Sequence, residues 1–202
     1  MPNVIRYMVD KRASKFTVQA FADGMLSFLG HNPTFAARDY EGLIACDPGT
    51  GEGASFTLNV KAASLELFDG LSSTDRRSIE DTMHNRVLES EKYPEIVYDC
   101  PAGDMTVRRT GDGEFDVSLN GNLTLHGVTN PHPITGAVIA NPAMLRTFGE
   151  FQIRQTSFNI RLVSVAGGVL KVKDELKCIF DIVARPQDLP ADDATGPAAI
   201  HS

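Results

Sequence analysis

The sequence predicts an all-β protein, an antiparallel barrel or sandwich that carries a single helix. Three observations lead there. Apolar and polar residues alternate with period two in at least five runs, turn chemistry separates those runs, and only one segment shows a helical stripe. Alternation places successive side chains on opposite faces, as in a strand with one buried side. Closely spaced strands joined by short turns belong to barrels and sandwiches.

The first run sets Phe16, Val18 and Ala20 against Lys15, Thr17 and Gln19. Asp47 to Gly53 then reads as a hairpin loop, rich in Gly and turn residues. Its glycines do not fit a dinucleotide fingerprint, because a strand follows and no helix N-terminus is there to hold a phosphate. Phe56, Leu58, Val60 and Ala62 alternate with Thr57, Asn59 and Lys61. From Ser72 to Leu88 the period changes, with Ile79, Met83 and Val87 forming a stripe at helical spacing. Ser72 and Asp75 resemble a capping box, and Pro94 forbids helix soon after.

Beyond the helix, Gly111 to Gly113 is a loop. Glu114 to His126 reads as one long strand, with Phe115, Val117, Leu119, Gly121, Leu123 and Leu125 on one face. Asn130-Pro131-His132-Pro133 reads as a rigid turn. Phe151 and Ile153 alternate with Glu150, Gln152 and Arg154. After a Gly167-Gly168 loop, Leu170, Val172, Leu176, Cys178 and Phe180 form the last face. Residues 1–186 are therefore expected to form one domain, and 187–202, which lose all periodicity, a disordered tail.

Composition narrows the function. The 202 residues are 42% hydrophobic and carry a net charge of −7. That is ample for a core and lacks the cationic footprint of a general nucleic-acid or anionic-membrane binder. No apolar run is long enough for a membrane-spanning helix. No signal peptide is evident, so a cytoplasmic site is expected, or a periplasmic one if a native leader has been removed. Cys46, Cys100 and Cys178 lie far apart, which disfavours a cysteine metal site and suggests free thiols in reducing surroundings.

An antiparallel sheet of many long strands must hide its edges, and closure into a barrel does so. A barrel of about eight strands either fills its lumen or holds one small ligand. The chain has no Trp, and Ala20, Ala62, Gly121 and Cys178 are small inward candidates, which favours a cavity. No nucleophile elbow, zinc-helix motif or P-loop occurs. His31, His126 and His132 could gather at a barrel mouth to bind metal or move a proton, or each could hydrogen-bond backbone at a turn. Asp174 falls on the apolar parity of the last strand. It is either a polar ligand contact or the mark of a bulge or barrel end. Asn122-Leu123-Thr124 matches a glycosylation sequon but lies within a strand.

These residues add up to a family resemblance. Tyr7-Met8-Val9-Asp10 with Ser14 and Phe16, Gly30-His31-Asn32 with Phe35 and Gly42, and Tyr93-Pro94-Glu95-Ile96-Val97-Tyr98 occur in order. So do Gly121 to Pro131, Gly149 to Arg154 and Ser157 to Ile160. Over about residues 5–184 the chain resembles the YceI-like family of bacterial lipid-binding barrels, most specifically at Leu123 to Thr129. The resemblance implies an extended, lipocalin-like antiparallel barrel of about eight strands with a helix packed at one side. It implies an apolar lumen for a polyisoprenoid or fatty-acid-like lipid, often in a homodimer. Arg86 to Lys92 departs from the family's aromatic stretch after the helix, so that end is expected to pack differently.

The function expected is non-enzymatic carriage or storage of an isoprenoid or other long apolar ligand, with no cofactor, metal or catalytic residue. The inward set is Phe16, Val18, Phe56, Leu58, Val60, Phe115, Val117, Leu119, Leu123, Leu125, Phe151, Ile153 and Phe158. His31, His126 and Asp174 are candidate polar contacts. The competing readings are a metal-dependent or hydrolytic protein using the histidines, and a stress-related interaction module with a packed lumen.

Overall fold

A computed structural model describes residues 3–24, 32–165 and 170–187. The Gly167-Gly168 loop and the tail beyond Gln187 fall outside the described residues. Those described form fifteen strands, more than the eight expected, and one α-helix. The strands are β1 (Ile5–Val9), β2 (Lys15–Gly24), β3 (Thr34–Ala37), β4 (Tyr40–Cys46), β5 (Ser55–Lys61) and β6 (Leu65–Leu67). The helix α1 (Ser73–Thr82) follows. Then come β7 (Glu95–Cys100), β8 (Met105–Gly111), β9 (Glu114–Leu119), β10 (Asn122–Leu125), β11 (Val128–Pro131) and β12 (Ile134–Asn141). The last are β13 (Met144–Arg154), β14 (Ser164–Val165) and β15 (Leu170–Pro186).

The excess over eight has a simple origin, because tightly curved strands kink and pairing lapses at each kink. β9 and β10 are one ribbon interrupted at Asn120-Gly121, and β11 and β12 are its partner interrupted at His132-Pro133. Leu119 faces Ile134, and Asn122 faces Pro131, in one unbroken register. The single strand expected over Glu114–His126 is therefore two strands of one register. The rigid turn expected at Asn130–Pro133 is instead extended chain at the kink. The reversal of direction lies at His126-Gly127, both in the left-handed region (φ 51° and 73°). Two such residues make the hairpin turn whose twist suits the strands.

All pairs are antiparallel, and one path runs β11-β10-β7-β5-β4-β1-β15-β13-β12-β9-β8. β8 at the end of that path continues β7 in the chain, so the sheet curls round onto itself as a barrel. β2 and β3 extend the β1 and β4 ribbons, pairing with β15 and with β6. At one end Tyr7, fully buried, reaches across to donate its hydroxyl proton to the Asn141 carbonyl at 3.1 Å. A small core of Ile44, Cys46, Phe115 and Leu145 packs beside it.

The helix holds the opposite end. Ser72 caps it, accepting the Asp75 N–H at 3.2 Å as the capping box predicted. None of its residues is buried. It is tied instead to the open edge of β6. Glu80 accepts the Leu67 N–H at 2.9 Å, and Arg76 donates to the Leu67 and Asp69 carbonyls. These bonds replace a missing neighbouring strand. A wider π-helical turn, Met83–Val87, follows and buries Met83. No described helix is long and apolar enough to cross a membrane.

Candidate functional site

The inward parity of the strands encloses a cavity of about 650 Å³. The lumen is thus open, as the small inward residues and missing Trp suggested. Of the inward set, all but Phe158 line it, from Phe16 and Val18 on β2 to Phe151 and Ile153 on β13. Phe158 is 2% exposed and packs in the core beneath the wall. Of the small residues, Ala20 and Cys178 face the cavity, whereas Ala62 and Gly121 do not.

Gly121 has another reason to be small. A Cβ there would meet the Asp99 carbonyl oxygen at 2.5 Å and the Tyr98 ring at 2.8 Å. Tyr98, buried and lining the cavity, lays its ring over the kink. Its hydroxyl oxygen accepts the Gly121 N–H. The same hydroxyl lies 3.2 Å from the Leu119 carbonyl and 3.1 Å from that of His132. Burial pushes the phenol up to about 12, so it stays protonated and can donate.

Several wall positions escaped the sequence reading. Ile134, Val138 and Ala140 on β12 and Ile44 and Cys46 on β4 line the cavity. Neither run alternates apolar with polar, since Leu43, Ala45, Ala137 and Ile139 are apolar on the opposite face, so period two gave no signal there. Ile79, Met83 and Val87, the helical stripe, also line it, alongside Leu88. Polar side chains are few, and besides Tyr98 and Thr147 they fall in three places. Asp47 lies beyond β4, and Asp69, Asp75, Ser78 and Thr82 lie on and around α1. Gln155 is buried in the wall, but its amide donates to the Lys173 carbonyl at 2.8 Å.

The remaining candidates sit elsewhere. His126 is in the β10–β11 turn, outside the cavity lining. Its Nε2 is 2.7 Å from Glu89 Oε2, its Nδ1 is 3.2 Å from the Phe158 carbonyl, and its ring packs on Tyr93. Glu89 stands in the left-handed region (φ 45°), in the stretch where the chain departs from the family pattern. His126 thus ties that stretch to the barrel. His132 is at the β11–β12 kink with its ring edge on Phe151. Burial lowers its pKa, and its Nε2 is buried without a partner. Asp174 does not line the cavity. The β2–β15 register shifts between Val172 and Leu176, and there Asp174 accepts the Thr156 N–H and hydroxyl at 2.8 and 2.7 Å. It caps the helical turn at Gln155–Phe158. His31 lies outside the described residues. Among those described, no cluster of three or more His, Cys, Asp or Glu could hold a metal ion.

All three cysteines are free and buried. Cys46 and Cys178 line the cavity, and desolvation pushes their thiols up to about 11 and about 12. They behave there as small apolar groups.

The family model for the YceI-like domain matches residues 7–184. The chain belongs to the YceI-like family. A UPF0312 protein of Pseudomonas savastanoi pv. phaseolicola is 33% identical over 129 residues, 62% of this chain and 57% of that protein. One from Azotobacter vinelandii is 28% identical over 134 residues, 66% of this chain and 62% of that protein. The YceI-like chain thus spans a little over half the length of the curated relatives it matches. Among solved structures, a polyisoprenoid binding domain from Saccharophagus degradans superposes with a TM-score of 0.65 at 14% identity, covering 91% of this chain and 99% of that one. Burkholderia cenocepacia BcnA gives 0.61 at 19% identity, covering 87% and 98%. At such identities the likeness establishes the YceI-like barrel fold.

Proposed function

We propose that this YceI-like protein binds a long isoprenoid-type or similarly apolar lipid in its lumen and carries or stores it without chemical change. The observation that carries this reading is the wall itself, aliphatic and aromatic along strands from every part of the barrel. Its volume lies within the roughly 300–1,000 Å³ of small-molecule sites. A linear chain suits such a wall, because each buried CH₂ contributes about 0.8 kcal/mol and few polar anchors are needed. The Saccharophagus domain, described as polyisoprenoid-binding, supports the same ligand class.

Native mass spectrometry of freshly purified protein tests it. A bound mass that extracts into organic solvent, together with binding of a fluorescent isoprenoid, is expected. Leu119→Asp, its fold checked by circular dichroism, should abolish that binding through charge burial. Phe148→Asp, on the outer face, should not. Protein that carries no lipid and ignores the probe refutes the reading. The same spectrum reports whether the protein is the homodimer that the family resemblance implies.

A further inference from the structure

We infer that the head group of the lumen ligand carries no negative charge: this barrel takes lipids with uncharged heads and discriminates against carboxylates and phosphates. The inference rests on the lipid-binding reading and concerns the polar ends of the same cavity.

Carboxylates stand at both ends of one wall. Asp69 accepts the Thr34 N–H at 2.7 Å, at the start of the β3–β4 ribbon. Asp47 follows the last residue of that ribbon. That ribbon runs from Thr34 to Cys46, with one bend at Asp39, so the two aspartates mark its two ends. Both aspartates line the cavity, and so does Asp75 in the first turn of α1. A head group at either end therefore meets a carboxylate, whichever way the chain lies.

These carboxylates are held in place by hydrogen bonds. Asp47 accepts the backbone N–H groups of Asn3, Gly49 and Thr50 at 2.7 to 3.2 Å. Asp75 accepts the Ser72 hydroxyl at 2.6 Å, so the N-terminus of α1 already faces a resident anion. The cations near the two ends are committed elsewhere: the Arg76 guanidinium is taken by the Leu67 and Asp69 carbonyls and by Glu80, Arg109 by the Gly111 carbonyl and Asp112, and the Lys15 ammonium lies over the Phe68 ring. Among the described residues that line the cavity, none is Lys, Arg or His. Between the ends the lining is apolar but for Tyr98, Thr147 and Gln155, none of them charged, and an unpaired anion there would lose its hydration without replacement.

The test uses the full chain and two probes with one tail, geranylgeraniol and geranylgeranyl diphosphate, each displacing a fluorescent prenyl probe. The diphosphate should bind at least about ten-fold more weakly, as like charges facing each other at a binding site require. The gap should shrink at high salt, because the ends are near solvent. It should also close to within a few-fold in the triple variant D47N/D69N/D75N, where one amide oxygen can still accept the N–H groups of Gly49 and Thr50 at position 47, that of Thr34 at position 69 and the Ser72 hydroxyl at position 75, and only the Asn3 N–H loses its acceptor. Wild-type protein that binds the diphosphate as well as the alcohol overturns this inference and leaves the lipid reading standing. A gap untouched by the triple substitution, with its fold confirmed, also overturns it. Failure of both probes to bind removes the lipid reading, and this inference with it.

Discussion

The hydroxyl of Tyr98 accepts the backbone N–H of Gly121 at 3.2 Å, across the point where the β9–β10 ribbon kinks. Pairing lapses there, and one side chain supplies the partner that the sheet withholds. Tyr98→Phe should cost about 1–3 kcal/mol in denaturant unfolding, the usual penalty for a buried polar group left unpaired. Gly121→Ala should also destabilise, because its Cβ would strike backbone. A Tyr98→Phe variant as stable as wild type would show that the kink is held by packing alone.

His132 makes stability depend on pH. Burial lowers its pKa from the ordinary 6.5, so the unfolded chain binds the proton more readily. Its contribution is fully present above about 6.5. It declines as the pH falls below that value and is gone once the pH passes below the folded pKa. His132→Gln should flatten the stability profile in that window, measured by denaturation at a series of pH values. An unchanged profile would assign the dependence elsewhere.

The three thiols should resist a water-soluble disulfide reagent at neutral pH and react in full only in denaturant. Cys46 and Cys178 are buried and held at about 11 and about 12, so almost no thiolate is present. A fast-reacting fraction in the native protein would mean that the wall opens.

Ala20 lines the cavity, so a larger side chain there points into the lumen. Ala20→Phe should shorten the usable lumen with little cost in stability. Loss of two or three buried methylenes, at about 0.8 kcal/mol each, should weaken the longest prenyl ligands by about ten-fold or more and leave short ones little changed. Binding across a chain-length series reads this directly. A uniform loss at every length would place the ligand elsewhere.

Much of the wall was legible beforehand, because a side chain's face follows from period two alone. Phe56, Leu58 and Val60 point inward together, and no tertiary contact can change that parity without a bulge. The capping box at Ser72 was legible for the same reason, since its partner lies three residues away. Phe158 shows where parity stops helping. It sits in a short helical turn, so alternation gave it a face that the turn does not keep.

The sequence by itself determined that the chain alternates, where it turns, and which family pattern it carries. Only the tertiary structure decided that Glu114–His126 is a kinked ribbon, that Gly121 is small for Tyr98 and not for the lumen, and that His126 serves Glu89 and Phe158. It alone decided that Asp174 caps a helical turn at a bulge, and that Asp47 and Asp69 stand at opposite ends of one cavity wall. The physical reason is range. Periodicity and capping act over a few residues, whereas these contacts join residues 20 or more apart in most cases and exist only once the sheet has curled.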